Sequence, residues 1–521
     1  MKLKPMLSLL ILTGSSFALP TVLEVKSQTI QVNGKSVQLG TIVQPDGTWG
    51  YYPQAGGDFD VILKNDLAES TVIHWHGLIL PNQLDGVAGL TQAQPIAPGQ
   101  QQHYKFKLQQ TGSYWMHSHQ GLQLQTGVEA PLIILDKADL KQQQVVVMFQ
   151  DFSFKTPEQI MGELKPNASS TMHSMDAAPV AANASAPKMA MDHAQMMAKM
   201  GAESMSDMDM DMSDSAEHAG HMDMAMDLND VEYDAYLTNY HSPDQPQITQ
   251  VVAGKTVRLR FINGASGSNF WINLGKLNGQ LVAVDGQAIK PFTGNRFELA
   301  LGQRADVLVK IPAAGGTFPI LGQVEGLKAQ TGILLTTQAK PALKAIESQA
   351  AVVAPALDYA DELKLHSVEA LTSAKDKVNL KLKITGDMQN YVWQINDQTW
   401  PNVTPLQAKQ GQLVSMTFDN QSMMAHPMHL HGYEFKVISI NGKRINGAMR
   451  DTILVLPNSQ VTVEFVASNP GKWMLHCHML YHMGAGMMTY LDVTPSKQRK
   501  KTNFLIRDNS GDYVCTGVCL I

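Results

Sequence analysis

The sequence predicts an all-β protein built from three β-sandwich domains, and its length, its strand-and-turn patterning and a faint internal repeat predict it. A chain of 521 residues is long enough for about three domains of ordinary size, each burying its own core. From about residue 20 to 140, and again from 350 to 495, short Val/Ile/Leu/Thr-rich runs alternate with Gly, Pro, Asn and Asp clusters, as in GDFDVILKNDL, EFKVISI and QVTVEFVAS. Period-2 patterning broken by turn residues is the signature of antiparallel sandwiches. The middle of the chain repeats this pattern, with AGKTVRLRFING resembling GDFDVILKND before it and GQLVSMTFDN after it, one copy per domain. The expected division is a leader at 1–18, domains at 19–140, 141–345 and 346–495, and a tail at 496–521.

Composition narrows the function. The 40 basic and 46 acidic residues give a net charge of -6 with no basic block, which argues against a nucleic-acid partner. At the N-terminus, Lys2 and Lys4 precede an apolar run from Pro5 to Leu12, and Ser16 and Ala18 form a small-residue cleavage pattern. This reads as a signal peptide cut after Ala18, and so as a periplasmic or secreted protein. The run is far short of the roughly 20 residues a membrane anchor needs. No sequence feature calls for a second subunit, and a monomer is expected. Three cysteines, Cys477, Cys515 and Cys519, are too few for a disulfide framework. Cys515 and Cys519, close together in the tail, are expected to bridge or to bind metal.

One segment breaks the strand pattern. Residues 161–228 hold fifteen of the 30 methionines, interleaved with Ala, Asp, Ser and His, and have few branched or aromatic residues to build a core. A disordered insertion in the second domain is expected. Thioether is a soft ligand suited to Cu(I), so metal capture is the functional reading; a helix with Met as filler is the structural one.

Ten of the 17 histidines fall in four motifs: HWH at 74–76, HSH at 117–119, HPMHLH at 426–431 and HCHMLYH at 476–482. One H-x-H is a weak signal, whereas four beside strand-like runs are not. Residues two apart on a strand share a face. His74 with His76, His117 with His119, His429 with His431 and His476 with His478 therefore present eight imidazoles for one multinuclear site. Cys477 faces the other way, and His426 has the same reversed parity. Cys477, His426, His482 and Met487 supply a thiolate, two imidazoles and a thioether, the donor set of a blue-copper electron-transfer centre rather than zinc. Met488 competes with Met487 for the axial place.

In order and spacing the four motifs resemble those of the multicopper oxidases, and the match covers most of the mature chain. The resemblance implies three cupredoxin-like Greek-key domains and four coppers. Cys477, His426, His482 and Met487 would hold a type 1 copper, and His74 with His429 a type 2 copper. His76, His117 and His478 would hold one type 3 copper, and His119, His431 and His476 the other. Electrons from a reductant would enter at type 1, pass through Cys477 and reduce O2 to water. Asp85 in NQLDGVAG resembles the family's proton-handling acid; a turn aspartate before Gly86 explains it equally well. Met483 stands after His482, where some relatives carry a second acid.

HWHGLILPNQLDGVAG, GSYWMHSHQGLQLQTGVEAPLIILD and MMAHPMHLHG resemble the bacterial copper-resistance branch, which implies Cu(I) as the electron donor. Met423 and Met424 are then candidates for a substrate copper site, or else an apolar lid over type 1; Ser422 replaces the related aspartate. Two other functions remain open: a copper-sequestering protein that relies on the Met-rich segment, and a laccase or ferroxidase acting on phenols or Fe(II).

Overall fold

The computed structural model describes residues 19–92, 94–165 and 228–496, together with the backbone of 502–507 and 513–519. The leader and most of the Met-rich segment, with the cleavage and metal-capture readings placed on them, lie outside the described residues.

The strands sort into three successive pairs of sheets, as the patterning predicts. In the first, the order Lys35–Val43, Thr21–Val32, Asp58–Asn65, Gln101–Lys107 faces the order Ile73–His76, Gly112–Ser118, Glu129–Ile134. In the second, a six-stranded sheet that includes Gln143–Phe152, Thr256–Asn263 and Arg304–Lys310 opposes a five-stranded one. In the third, a seven-stranded sheet opposes the order Leu406–Lys409, Met488–Thr494, Gly471–Cys477, His426–Leu430, Thr452–Val455.

The repeat seen in the sequence has a structural meaning. Asp58–Asn65, Thr256–Asn263 and Leu413–Asn420 each run parallel to the opening strand of their sandwich, respectively Thr21–Val32, Gln143–Phe152 and Lys377–Asp387. Each sandwich thus includes such a parallel pair among its antiparallel neighbours. A chain that leaves its first strand by a crossover returns beside it in the same direction, whereas hairpins give only antiparallel neighbours.

Two local expectations also change. Met161, counted as the start of the Met-rich insertion, lies in the helix Pro157–Leu164. That helix opens with a capping box between Thr156 and Gln159 and a Pro in its first turn, a strong start signal. Ile160 and Met161 are buried on its inner side. In the tail, Thr502–Arg507 and Tyr513–Cys519 pair as a hairpin. Cys515 and Cys519 are four residues apart on one strand, which separates their Cα atoms by about 13 Å, too far to bridge each other.

Strand parity builds both the cores and the site. On Ile73–His76 all four residues are buried, but in opposite directions. Trp75 enters the core of the first sandwich, 4.8 Å from the Phe59 ring and 5.0 Å from Tyr104, while His74 and His76 face the third sandwich. A separate apolar seam of Trp115, Leu124, Met148, Ile262, Leu480, Met483 and Met488 joins the three sandwiches. Trp75→Ala is expected to destabilise the protein by about 3–5 kcal/mol, measured by denaturant unfolding; a loss below about 1 kcal/mol would show that the indole does not anchor the histidine strand.

Candidate metal centre

Two strand pairs carry the site, one from each outer sandwich. His74 pairs with His117 across Ile73–His76 and Gly112–Ser118, and His429 pairs with His476 across His426–Leu430 and Gly471–Cys477. Directly opposed residues share a face, so each pair aims its imidazoles the same way. His119, His431 and His478 follow just beyond their strand ends. All eight are buried.

Their ligand atoms fall into compact groups. Those of His76, His117 and His478 lie within 4.8 Å of one another, as do those of His119, His431 and His476, and those of His74, His76 and His429. His74 Nε2 and His429 Nε2 are 3.4 Å apart, and His431 Nε2 and His476 Nε2 are 3.1 Å apart. The first two groups coincide with the type 3 sets that the resemblance implies, and the third adds His76 to the implied pair of His74 and His429.

On the opposite face of the same strands, Met428 pairs with Cys477, so His426, two residues earlier, shares the Cys477 side. Sγ of Cys477 lies 3.6 Å from Nδ1 of His426 and 3.7 Å from Nδ1 of His482, and the two Nδ1 atoms are 3.2 Å apart. Met487 is fully buried, and its carbonyl accepts the Cys477 N–H at 3.1 Å. Met488 instead pairs with His476 and packs in the seam. Parity thus separates the two candidate axial residues.

The donors fit a metal. His76 Nδ1, His117 Nε2, His119 Nε2 and both ring nitrogens of His478 are buried with no hydrogen-bond partner. A buried polar atom left unpaired costs about 1–3 kcal/mol, and a cluster of them aimed at common points is what a metal site requires. The far nitrogens are held: His74 Nδ1 by the Asp85 carbonyl (2.8 Å), His429 Nδ1 by the Asp451 carbonyl (2.9 Å), His476 Nδ1 by the Cys477 carbonyl (2.8 Å), and His431 Nδ1 by Asp85 Oδ2 (2.9 Å). Such partners fix ring orientation and tautomer. Thiolate, imidazole and thioether on one side and imidazole alone on the other suit copper.

Asp85 occupies the turn position that the sequence allowed and also touches two of the site histidines. It ends the short helix Asn82–Leu84, and Gly86 after it has φ +83°, where a Cβ would run into the Ile73 carbonyl. The same turn buries the Asp85 carboxylate between His74 and His431. Met483 packs in the apolar seam. Met423 is 61% exposed and Met424 only 4%; with Met479 and Leu228 they line one small cavity.

Sequence reasoning missed the groups around the Cys477 site. Asp230 Oδ2 accepts from His482 Nε2 at 2.6 Å and from the Tyr391 hydroxyl at 2.6 Å, and Trp393 stacks on His482 at 3.9 Å. The Ser422 hydroxyl meets His426 Nε2 at 2.7 Å. No signal in the sequence ties Asp230 to a histidine so far along the chain.

Burial holds His76, His117, His119, His429, His431 and His478 well below the usual histidine range, helped by neighbouring imidazoles, and lowers His476 to about 4. Burial likewise pushes the Cys477 thiol up. The imidazoles are therefore neutral and ready to bind. Because their folded values lie below the unfolded value of about 6.5, the stability tied to them is present above that pH and is lost as pH falls toward the folded values. The denaturation midpoint of metal-free protein is expected to drop between about pH 7 and about pH 5, and that of copper-loaded protein to drop at least as much, because the bound ligands take up none of the protons that the unfolded chain does. A metal-free midpoint unchanged across that range would contradict buried neutral ligands.

Residues 25–139, 198–339 and 373–497 each match a multicopper oxidase family model. The multicopper oxidase MmcO of Mycobacterium tuberculosis is 29% identical over 84% of this chain and 79% of its own length. A copper resistance protein A homolog of Pseudomonas syringae pv. tomato is 28% identical over 82% of this chain and 84% of its own. Among solved structures, Fet3p, a multicopper oxidase that functions in iron import, superposes with a TM-score of 0.67 at 18% identity, covering 91% of this chain and 90% of that one. The three matched regions, the relatives and the grouped histidines agree: the chain belongs to the multicopper oxidase family.

Proposed function

We propose that the protein oxidises Cu(I) and couples that reaction to reduction of O2 to water, in the service of copper tolerance. The family is one of oxidoreductases that use O2 and hold four coppers, one type 1, one type 2 and two type 3. When bound, those coppers supply one-electron storage and the reduction of O2. The balanced reaction takes four Cu(I), O2 and four protons to four Cu(II) and two waters. The leader read from the sequence would put this reaction in the periplasm or outside the cell; among the described residues no helix is long and apolar enough to cross a membrane.

The observation that carries the Cu(I) reading is the closure of the electron-entry edge. His426 and His482 are fully buried, and the outer nitrogen of His482 is covered by Asp230, itself held by Tyr391. An aromatic ring has no bare imidazole edge to lie against, whereas a small cation has donors to approach. Met423 offers a thioether to solvent four residues after Asp419 and three before His426, and soft donors favour Cu(I). Described residues on either side of 166–227 also lie here. Met161 reaches Gly484 on the helix that carries His482, and residues 228–230 return to the same edge. Asp230 supports a second reading, Fe(II), because a carboxylate prefers the harder ion.

Inside, Cys477 lies between His476 and His478 in sequence, so the chain itself joins the two sites. Asp85 bridges ligands assigned to the type 2 and type 3 coppers and is the acid placed to hold and pass protons.

Steady-state oxygen uptake by copper-loaded protein is expected to rank Cu(I) above Fe(II) and a phenol. Met423→Leu should reduce kcat/KM for Cu(I) by about tenfold, and Asp230→Asn should act more strongly on Fe(II). A Cu(I) rate no better than the phenol rate would overturn the substrate ranking. Asp85→Asn should keep its copper and its blue colour but lose roughly 10²-fold in kcat; unchanged turnover would remove Asp85 from proton delivery.

A further inference from the structure

Behind the histidines lies a buried ionic cluster to which the reaction above assigns no part. Asp451, fully buried, has Oδ1 at 2.8 Å from Arg304 Nη1 and Oδ2 at 2.5 Å from Arg304 Nη2. Arg304 Nε donates to the Ser113 carbonyl at 3.0 Å. One guanidinium therefore belongs to the middle sandwich, bonds the backbone of the first and grips a carboxylate of the third. Burial opposes its charge, and Asp451 and Asp285 more than offset that and raise its pKa. Space for the pair is provided by Gly77, the residue after HWH. It has φ +86°, and a Cβ there would stand 2.5 Å from both Arg304 Nη2 and Asp451 Oδ2. The glycine of HWHG is thus explained by the ion pair rather than by the turn alone.

Asp451 touches two of the histidines in different ways. Its Oδ1 lies 3.1 Å from His76 Nε2, and its main-chain carbonyl lies 2.9 Å from His429 Nδ1. A carboxylate paired with Arg only accepts hydrogen bonds, and a neutral imidazole has one donor and one acceptor nitrogen. His76 must then carry its proton on Nε2, which leaves Nδ1, buried and without a partner, as the lone pair facing the site. His429 must carry its proton on Nδ1 and present Nε2. The two rings stack at 3.8 Å and 13°, so neighbouring parallel imidazoles bind through opposite nitrogens because one residue meets them through different oxygens. Thr452 reinforces the arrangement: its hydroxyl donates to Asp451 Oδ1 at 2.8 Å and lies 3.2 Å from His76 Nε2.

We infer that Arg304 and Asp451 are positioning residues that fix the His76 tautomer, and that the middle sandwich thereby governs copper loading of a centre to which it contributes no histidine among the described residues. The inference rests on reading His76, His117 and His478 as the ligands of one copper.

The test is copper content and spectra of Asp451→Asn, purified and reloaded with copper. Both oxygens meet the guanidinium, so the amide must turn its NH2 to one Nη; keeping the oxygen at the shorter contact, to Nη2, puts the NH2 toward His76 Nε2. That favours the tautomer with the proton on Nδ1, which cannot bind metal; removing one charge while keeping the shape exchanges tautomers in just this way. The expected result is a fall from four coppers per chain to three or fewer. The near-ultraviolet absorption of the coupled pair should be lost and the blue absorption of the Cys477 site kept. Four coppers with both absorptions intact would overturn the inference, and so would loss of the blue absorption together with the rest, which marks a merely structural role. Should the guanidinium left without Asp451 unfold that variant, Asp451→Leu combined with Arg304→Met removes both charges and the acceptor that faces His76 Nε2, and is judged by the same outcomes. His76→Ala is the control for the underlying assignment: four coppers there mean that His76 is not a ligand, whereas loss there beside full loading of Asp451→Asn sinks the tautomer inference alone.

Discussion

Imidazole nitrogens buried without partners are the constraint on which the rest of this structure depends. Before metal binds they are a liability, since each forgoes its hydrogen bond to water and gains none from the protein. They persist because rigid elements over-determine them. Two paired strands from the first sandwich and two from the third set the direction of each ring, and carbonyl or carboxylate acceptors hold the far nitrogens. The apolar seam of Trp115, Met148, Leu480 and Met488 keeps the sandwiches closed around them. The middle sandwich, with no histidine in the cluster among the described residues, supplies Arg304 and much of the packing.

Alternation along a strand then sorts the chemistry. On Gly471–Cys477 and His426–Leu430, His476 and His429 face inward toward the first sandwich, while Cys477 and His426 face the other way and build a thiolate site. Two metal environments of different softness are thus separated by the thickness of one sheet and joined by a peptide bond. The local settings differ accordingly: Trp393, Tyr391 and Asp230 enclose the His482 ring, while the inner cluster is lined by imidazoles and Asp85.

What was legible in the sequence followed from short-range rules. H-x-H motifs reveal themselves because period 2 puts both rings on one face, and the same arithmetic assigned Cys477 and His426 to a separate site. The fold class and the counterpart strands were legible for the same reason. Groups that act across long stretches of chain were not: Asp230 on His482, Asp451 on His76 and Arg304 on Asp451 are separated by 252, 375 and 147 positions. A charged residue that will be buried looks, in a sequence, like any surface charge. The parallel strand pairs were illegible because alternation is the same in either direction. Met161 reads as part of the insertion because the composition around it masks the capping box that starts its helix.

The register of Gly471–Cys477 has a consequence for how such a chain can change. Gaining or losing a single residue there would turn the strand over and exchange the donors between the two sites, although every residue type remained present. Length is therefore under tighter control than identity in these seven positions. Variation in a protein of this design is expected to enter through the connections and to leave the spacing of its metal-bearing strands untouched.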